Sequence, residues 1–299
     1  MDATPPPPSP MFLDVPALLD RSEPVAAGTM ARYLLGGFVL AVMMGAMISS
    51  QGVAGRQVVD VLAPLVVFGL IVGTGILTIA TASRVRADQR QLEAIEELVQ
   101  LRRWDHAAMA VQELLSRPAR SHGVRAQALI FLAAVLARYR RFEDAIAVQN
   151  HVLEHVPMDA NTSHGVRLGR AMAMLHEDHL FDADRAIADL RRGGGRDSSA
   201  GLALVEIYRD VKTGHPQEAV ELFESRLGQM RDKLGHRVAD AYALAARAYD
   251  LLGRGDDARR AYERATLLAP PSELLRRYPE VQKVAEKYPS APAPREALG

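Results

Sequence analysis

One stretch of the sequence has residue types and spacing that could hold a metal ion. His151 and His155 flank Glu154 in the order His-x-x-Glu-His. On a helix, histidines four residues apart lie on one face, so both imidazoles could bind zinc while the glutamate acts as a general base. The chemistry implied is hydrolysis by a zinc-bound water, which would make the chain a zinc-dependent peptidase.

The surrounding sequence argues against that chemistry. The order of residues resembles the inverzincin motif, but it falls on a helix where Val148 and Val152 must pack inward, and the rest of the chain has repeats rather than α/β domains. His176 and His179 are interpreted as polar side chains of a solvated turn, with an adventitious metal site as the minor alternative. The glycines of residues 191–201 follow no predicted strand and precede no Gly-Lys-Ser/Thr, so they do not predict a phosphate-binding loop.

Composition excludes further kinds of site. The chain has no cysteine, which excludes disulfides, thiol catalysis and thiolate metal sites. Its 36 basic and 36 acidic residues balance, which argues against a nucleic-acid partner. No Ser/His/Asp set or carboxylate pair stands out. The sequence therefore predicts no enzyme and no catalytic, metal or cofactor-binding residues, and the zinc peptidase at residues 151–155 is the last alternative.

The elements that would position any site are helix pairs. In residues 239–270, small and aromatic side chains recur every three or four positions, which indicates one apolar helical face. Gly253 predicts the end of a first helix, because glycine accepts the left-handed conformation past a helix C-terminus. The period restarts at Ala258 and stops at Pro270, since proline lacks the N–H that a helix requires. Alanine at 246 and 258 would let the two helices cross closely.

This stretch resembles one tetratricopeptide (TPR) repeat. The residues that match are Tyr242, Ala246, Tyr249, Gly253, Ala258, Tyr262, Ala265 and Pro270. The resemblance implies two antiparallel helices that stack on further copies, because one pair cannot bury its apolar face alone. It also implies a helical surface that binds other molecules.

Further copies are predicted from the small residue at Ala258. Candidates for the same position are 38, 38, 36 and 39 residues apart, near the TPR length of about 34. They are Ala107, Ala145, Ala183 and Ala219. The third copy is assigned Phe181 among its apolar residues, and the first helix of the fourth looks displaced by about two residues. Five repeats over residues 88–270 are predicted.

These repeats belong to a predicted TPR-like α-solenoid over residues 84–288. Leu274, Leu275, Val281, Val284 and Ala285 predict a C-terminal helix in residues 271–288, broken near Pro279, that caps the end of the stack. Residues 289–299 are rich in proline and alanine and are predicted to be disordered.

The N-terminal part of the chain predicts a membrane anchor. Residues 1–29 are proline-rich and are predicted to be a disordered leader. Two uncharged apolar runs follow at residues 33–53 and 61–83, 21 and 23 residues long. Each is close to the ~20 residues that span a bilayer core, so a transmembrane hairpin is predicted within residues 30–83. The alternatives are buried core helices or a cleaved signal peptide, which the acidic leader and the second run disfavour.

Arginine placement predicts the orientation of this hairpin. Only Arg56 lies at its tip, whereas five arginines flank its outer ends, namely Arg21, Arg32, Arg84, Arg86 and Arg90. By the positive-inside tendency, both termini and the repeats are predicted in the cytoplasm, with the hairpin in a bacterial inner membrane. Small residues four apart allow close packing of the spans within a hairpin or between copies. They are Gly37, Ala41, Gly45 and Ser49, with Gly69 and Gly73 in the second span.

The sequence thus predicts an all-α protein with a transmembrane helical hairpin followed by a TPR-like α-solenoid. Its predicted function is a membrane-anchored scaffold or adaptor for an unknown protein or peptide partner. First helices line the concave face of such a solenoid, so Arg138, Arg247 and Asp250 are the predicted partner-binding residues. The arginines would hold an acidic peptide through charge-assisted hydrogen bonds. The alternative function is a self-assembling structural membrane protein, a homo-oligomer formed through the spans or the repeats.

Overall fold

All secondary structure in the described part of the protein is helical, which confirms the all-α prediction for those residues. The computed structural model describes residues 13–23, 37, 82–83, 85–118, 121–193 and 199–289. Within these ranges, no helix is both long and apolar enough to cross a bilayer. The predicted spans lie outside the described residues, apart from residues 37, 82 and 83. Residues 290–299 of the predicted tail also lie outside them.

The chain divides into two compact units. The first comprises Met1–Asp144 and Glu154–Pro157, and the second comprises Ala145–Leu153 and Met158–Gly299. Helix α1 is Val15–Arg21 and α2 covers residues 85–100. The helices that follow are α3 (Trp104–Leu115), α4 (His122–Arg138), α5 (Phe142–His155), α6 (Ala160–His176), α7 (Leu180–Gly193), α8 (Ala200–Thr213), α9 (Pro216–Lys233), α10 (Val238–Leu251), α11 (Gly255–Leu268), α12 (Pro271–Arg277) and α13 (Gln282–Lys287).

The helices form five consecutive pairs, in which α2, α4, α6, α8 and α10 are the first helices and α3, α5, α7, α9 and α11 are the second helices. The turns within these five pairs share one backbone geometry. In each, the residue two positions before the second helix has a positive φ. The N–H of the next residue donates to the carbonyl five residues earlier, at 2.8–2.9 Å. This Schellman arrangement satisfies a carbonyl left free at the end of the first helix. The positive-φ residues are Arg102, Arg140, Asp178, Gly214 and Gly253.

Stability should respond to the residue at this turn position. A non-glycine residue is strained at positive φ, and Arg140 has a φ of 61°. We expect Arg140→Gly to raise the free energy of unfolding by roughly 0.5–1 kcal/mol, and Gly253→Ala to lower it by about 1 kcal/mol. Urea unfolding followed by circular dichroism measures both changes. Equal stability of both variants and the parent would contradict the role of the left-handed turn.

The small residues used to place the repeats occupy one position in five second helices. Each is the fourth residue of its helix, and its side chain has no exposed surface. They are Ala107 in α3, Ala145 in α5, Ala183 in α7, Ala219 in α9 and Ala258 in α11. The register predicted for the second helices is therefore correct at this position.

The assignment of Phe181 to the third apolar pattern is wrong. Its side chain is 82% exposed, whereas Leu180 packs against the core of the second unit. Leu180 is the first residue of α7, just as Trp104 and Phe142 are the first residues of their helices. Two adjacent apolar residues fit the spacing almost equally, and the position of the turn decides which one faces inward.

The prediction that residues 1–29 are disordered fails for residues 13–23. These residues include α1, whose first turn is capped by Asp14, because the Asp14 carboxylate accepts the N–H of Ala17 at 3.2 Å. Leu13, Val15 and Leu18 are buried in the first unit. The proline content suggested an extended chain, but Pro16 lies at the start of the helix, where its missing N–H costs nothing.

Two arginines of the first unit hold the backbone of this N-terminal segment. Arg125 of α4 donates to the carbonyl of Leu19 at 3.1 Å and to the hydroxyl of Ser22 at 3.2 Å. Arg141 donates to the carbonyl of Leu13 at 3.0 Å. Burial lowers the pKa of Arg125, and the nearby Glu23 opposes that shift. The N-terminal segment is therefore fixed at both of its ends.

In the second unit, the first helices form one layer. Helix α6 contacts α8, and α8 contacts α10, while each contacts its own second helix. Alanines of α10 are fully buried between these neighbours, so that small side chains bring the helices close together. We call the surface formed by α6, α8 and α10 the first-helix face.

Residues 271–288 pack on this unit and are called the C-terminal segment. Its helix breaks at the predicted place, since α12 ends at Arg277 and a 3-10 turn covers Pro279–Val281 before α13. Helices α12 and α13 contact α10, and α13 also contacts α11, as an end cap would. Side chains of the break reach beyond that last pair, to α8 and α6. The segment therefore does more than cover the end of the stack.

Candidate functional site

The predicted partner-binding residues lie on first helices and fall in both units. Arg247 donates to Asp250 at 3.1 Å on α10, and Lys287 of the C-terminal segment donates to Asp250 at 2.8 Å. In the first unit, the guanidinium of Arg138 lies 5.6 Å from the centre of the Trp104 ring. The structure thus brings Arg247 and Asp250 together at the C-terminal segment. Arg138 belongs to a separate aromatic contact.

Tyr278 anchors the C-terminal segment in an aromatic slot on the first-helix face. Its ring is buried and lies edge-on to Tyr208 of α8, with centroids 5.1 Å apart. The ring of His176, the last residue of α6, lies 5.8 Å away. The Tyr278 hydroxyl donates to Asp240 of α10 at 3.3 Å. One side chain therefore touches three successive first helices.

Asp240 is a buried carboxylate at the centre of this contact. Its side chain is 1% exposed, and its oxygens lie 2.6 Å from Arg277 and 3.6 Å from Arg237. Because a buried carboxylate is strongly destabilising without a partner, the charge must be matched by these guanidinium groups. Arg277 belongs to the C-terminal segment and Arg237 to the turn before α10, so that Asp240 ties the two together.

Lys212 of α8 forms the other charged anchor. Its ammonium group lies 2.5 Å from Asp178 and 3.6 Å from Glu280, and it donates to the carbonyl of Leu175 at 2.6 Å. Glu280 also accepts a hydrogen bond from the Tyr208 hydroxyl at 3.1 Å. Glu280 of the C-terminal segment therefore contacts one cation and one hydroxyl on the first-helix face.

An open cleft of about 400 Å³ lies beside the 3-10 turn. One wall belongs to the first helices and carries Lys212 and Arg247, and the other belongs to the C-terminal segment and carries exposed Lys283 and Glu286. Charged groups of both signs line it, which suits a polar peptide better than an apolar ligand. The C-terminal segment thus covers only part of the first-helix face.

Alkaline pH should weaken this site. Burial, followed by the charge of Asp240, raises the pKa of Tyr278 above its ordinary value of 10.0, and burial followed by Glu280 raises the pKa of Tyr208. Above pH 10 these tyrosines therefore ionise in the unfolded chain before they ionise in the folded one. The free energy of unfolding falls as pH rises, by about 1.4 kcal/mol per pH unit for each such tyrosine.

Tyr278→Phe should reduce the slope with which the free energy of unfolding falls above pH 10, by the contribution of one tyrosine. Urea unfolding between pH 8 and pH 11 measures the slope, and absorbance of tyrosinate at 295 nm reports the ionisation itself. A variant with the slope of the parent would show that Tyr278 ionises equally in both states.

Sequence reasoning did not find His176, Tyr208, Lys212 or Asp240 as site residues. One signal was available for Asp240, because an acid within an alanine-rich helix with buried neighbours requires a partner. His176 was interpreted as part of a solvated turn, but its Nδ1 lies 3.1 Å from the Tyr208 hydroxyl. Its contacts come from α8 and the C-terminal segment, which are remote in sequence.

The His-x-x-Glu-His stretch lies on α5. Glu154 and His155 are exposed there and His151 is half-buried. In the part of the chain that the structure describes, no group of three or more histidine, aspartate or glutamate side chains is arranged to hold a metal ion.

No family model matches the chain, and comparisons with curated proteins and with solved structures give no match. The resemblance to TPR repeats therefore stays a prediction from the residues named above. The helix pairs, their shared turns and the geometry of the first-helix face do not depend on it.

Proposed function

We propose that this protein is a membrane-anchored TPR-type scaffold that binds a protein or peptide partner on the first-helix face. The observation that carries the proposal is the C-terminal segment, a stretch of peptide that already lies there. An aromatic slot, a buried carboxylate and a lysine hold it. A helical surface with such anchors has the groups that peptide recognition requires.

Contacts of the N-terminal segment support the proposed anchor. Helix α1 precedes the predicted spans, whereas α3 and α4 follow them, yet all three belong to one compact unit and α1 contacts α3. Residues 23 and 85 must therefore lie on the same side of any membrane that the intervening chain crosses. An even number of spans meets that requirement, and the hairpin provides two. The arginine count favours the cytoplasmic side of a bacterial inner membrane.

A tether of this kind would raise the rate at which the scaffold meets partners at the membrane. Confinement to one surface increases the effective concentration of two tethered molecules without any new contact. Modest affinity at the first-helix face would then suffice for function. The bilayer is thus the second proposed partner, and we propose no nucleic acid and no cofactor.

Proximity labelling tests this function in living cells. A biotin ligase is fused after Leu298, and the side of the membrane on which it lies is scored in the same cells. The matched control carries the ligase after residue 90, so that it keeps the proposed anchor and lacks the repeats. We expect a small set of proteins that only the full chain labels, with the ligase in the cytoplasm.

Other outcomes would contradict the scaffold or its orientation. Labelling of this chain alone would favour the self-assembling alternative, which sedimentation in detergent would then show as a discrete oligomer. A ligase outside the cytoplasm would overturn the orientation. Identical labelling by the full chain and the control would remove the repeats from partner binding.

A further inference from the structure

The C-terminal segment can be described as a ligand of the face that holds it. Its central residues are Arg277, Tyr278, Pro279 and Glu280. The first pairs with Asp240, the second fills the slot beside Tyr208, and the fourth meets Lys212. Proline between the two anchors fixes the backbone and places the acid on the next turn. The side chains of Arg277, Tyr278 and Glu280 therefore each have a complementary group on the first helices.

We propose that the first-helix face recognises the pattern Arg-Tyr-Pro-acid, that the C-terminal segment is its internal ligand, and that the partner carries the same pattern and displaces it. This inference rests on the proposed scaffold function, whose site and partner chemistry it specifies. A basic residue, a tyrosine and an acid two residues later are the groups for which the face has matched anchors.

The C-terminal segment is joined to α11 by a short extended link, which would allow the segment to detach. Ala269 has φ −148° and ψ 145° and Pro270 has φ −56° and ψ 138°, so the chain is extended between α11 and α12. Pro271 follows as the first residue of α12. Ala269 and Pro270 are the two residues outside helices at this link, and rotation about their backbone can therefore move the segment away without unwinding α11. The cleft beside Glu280 leaves part of the face open, where an incoming peptide can make its first contacts.

Tethering explains why the segment keeps the face closed in the absence of a partner. A segment joined by a short link has an effective concentration on the order of millimolar. A free peptide with equal affinity competes only near that concentration. A partner held at the same membrane surface reaches such local concentrations, whereas a soluble peptide does not.

Cleavage of the link provides the test. A protease site is inserted after Ala269 in the full chain, which is purified in detergent. The probe is a fluorescein-labelled synthetic peptide with the sequence of residues 271–289, and its binding is followed by fluorescence anisotropy. We expect cleaved protein to bind the probe at least tenfold more tightly than uncut protein, because cleavage removes the effective concentration of the tether.

Two controls make the result specific. The chain has no cysteine, so Asp250→Cys with Lys287→Cys, two positions in contact outside the proposed pattern, can be joined by a short bismaleimide to lock the segment in place even after cleavage. The locked protein should bind the probe no better than uncut protein. Probes with Tyr278→Ala or Glu280→Lys should bind at least tenfold more weakly than the parent probe.

Several results would overturn the inference. Cleaved protein that keeps its segment and takes up no probe over a day would make the segment a permanent part of the core, as would loss of helical content on cleavage. Equal binding of parent and Tyr278→Ala probes would exclude the pattern. A partner found by proximity labelling alongside such results would leave the scaffold intact and remove only this inference. Probe exchange with no labelled partner would instead exclude the scaffold function.

Discussion

Asp240→Ala is expected to lower the free energy of unfolding by about 3 kcal/mol. Removing one member of a buried ion pair typically costs 3–5 kcal/mol, because the remaining charge is left without a partner. We expect the lower end of that range, since the side chains of Arg277 and Arg237 are 26% and 47% exposed and regain some water. The Tyr278 hydroxyl also loses its acceptor.

The loss should appear first in the C-terminal segment. Hydrogen exchange followed by mass spectrometry should show faster exchange in residues 271–288 and α10, with little change in the first unit. Asp232→Ala is the matched control, because that carboxylate is exposed on α9, and we expect a change within about 0.5 kcal/mol. If both variants were equally stable, Asp240 would have no structural role.

Ala107→Leu is expected to destabilise the first unit by about 2–3 kcal/mol. Ala107 has no exposed surface and lies in α3, which packs against α4. Three additional carbon atoms at a close helix contact force side chains out of their rotamers or move the backbone. Helix separation depends on the side chains at the crossing, so the change should spread along both helices.

Ala134→Leu provides the control within the same unit. Ala134 is exposed on α4, so an identical change should alter the free energy of unfolding by less than about 0.5 kcal/mol. Thermal unfolding followed by circular dichroism compares the two variants. Equal midpoints would show that Ala107 is not a close-contact position between α3 and α4.

Much of the local structure could be predicted because short-range signals specify it. Alanine at a spacing of 36–39 residues located five second helices correctly, since a crowded crossing accepts only a small side chain. Glycine indicated two of the five turns. The other three turns have Arg102, Arg140 and Asp178 in the same left-handed conformation, which their residue types do not predict.

Arg247 and Asp250 stay predicted partner-binding residues. The structure adds that they lie beside the C-terminal segment. Their pairing with Lys287 was not found, because it joins residues 37 apart. The order seen in residues 13–23 was also missed. Leu13, Val15 and Leu18 become buried only against helices that lie about 90 residues later.

The sequence by itself located the five second helices and the break near Pro279, because propensity, capping and apolar periodicity act within a few residues of each other. It also determined that the chain has no thiol chemistry. Only the tertiary structure decided that Tyr278 packs against Tyr208 and His176. The same is true of the ion pair between Asp240 and Arg277. Those contacts join residues 37 to 102 apart, and their free energy depends on which surfaces the packed helices leave exposed. Local sequence patterns do not report which surfaces these are.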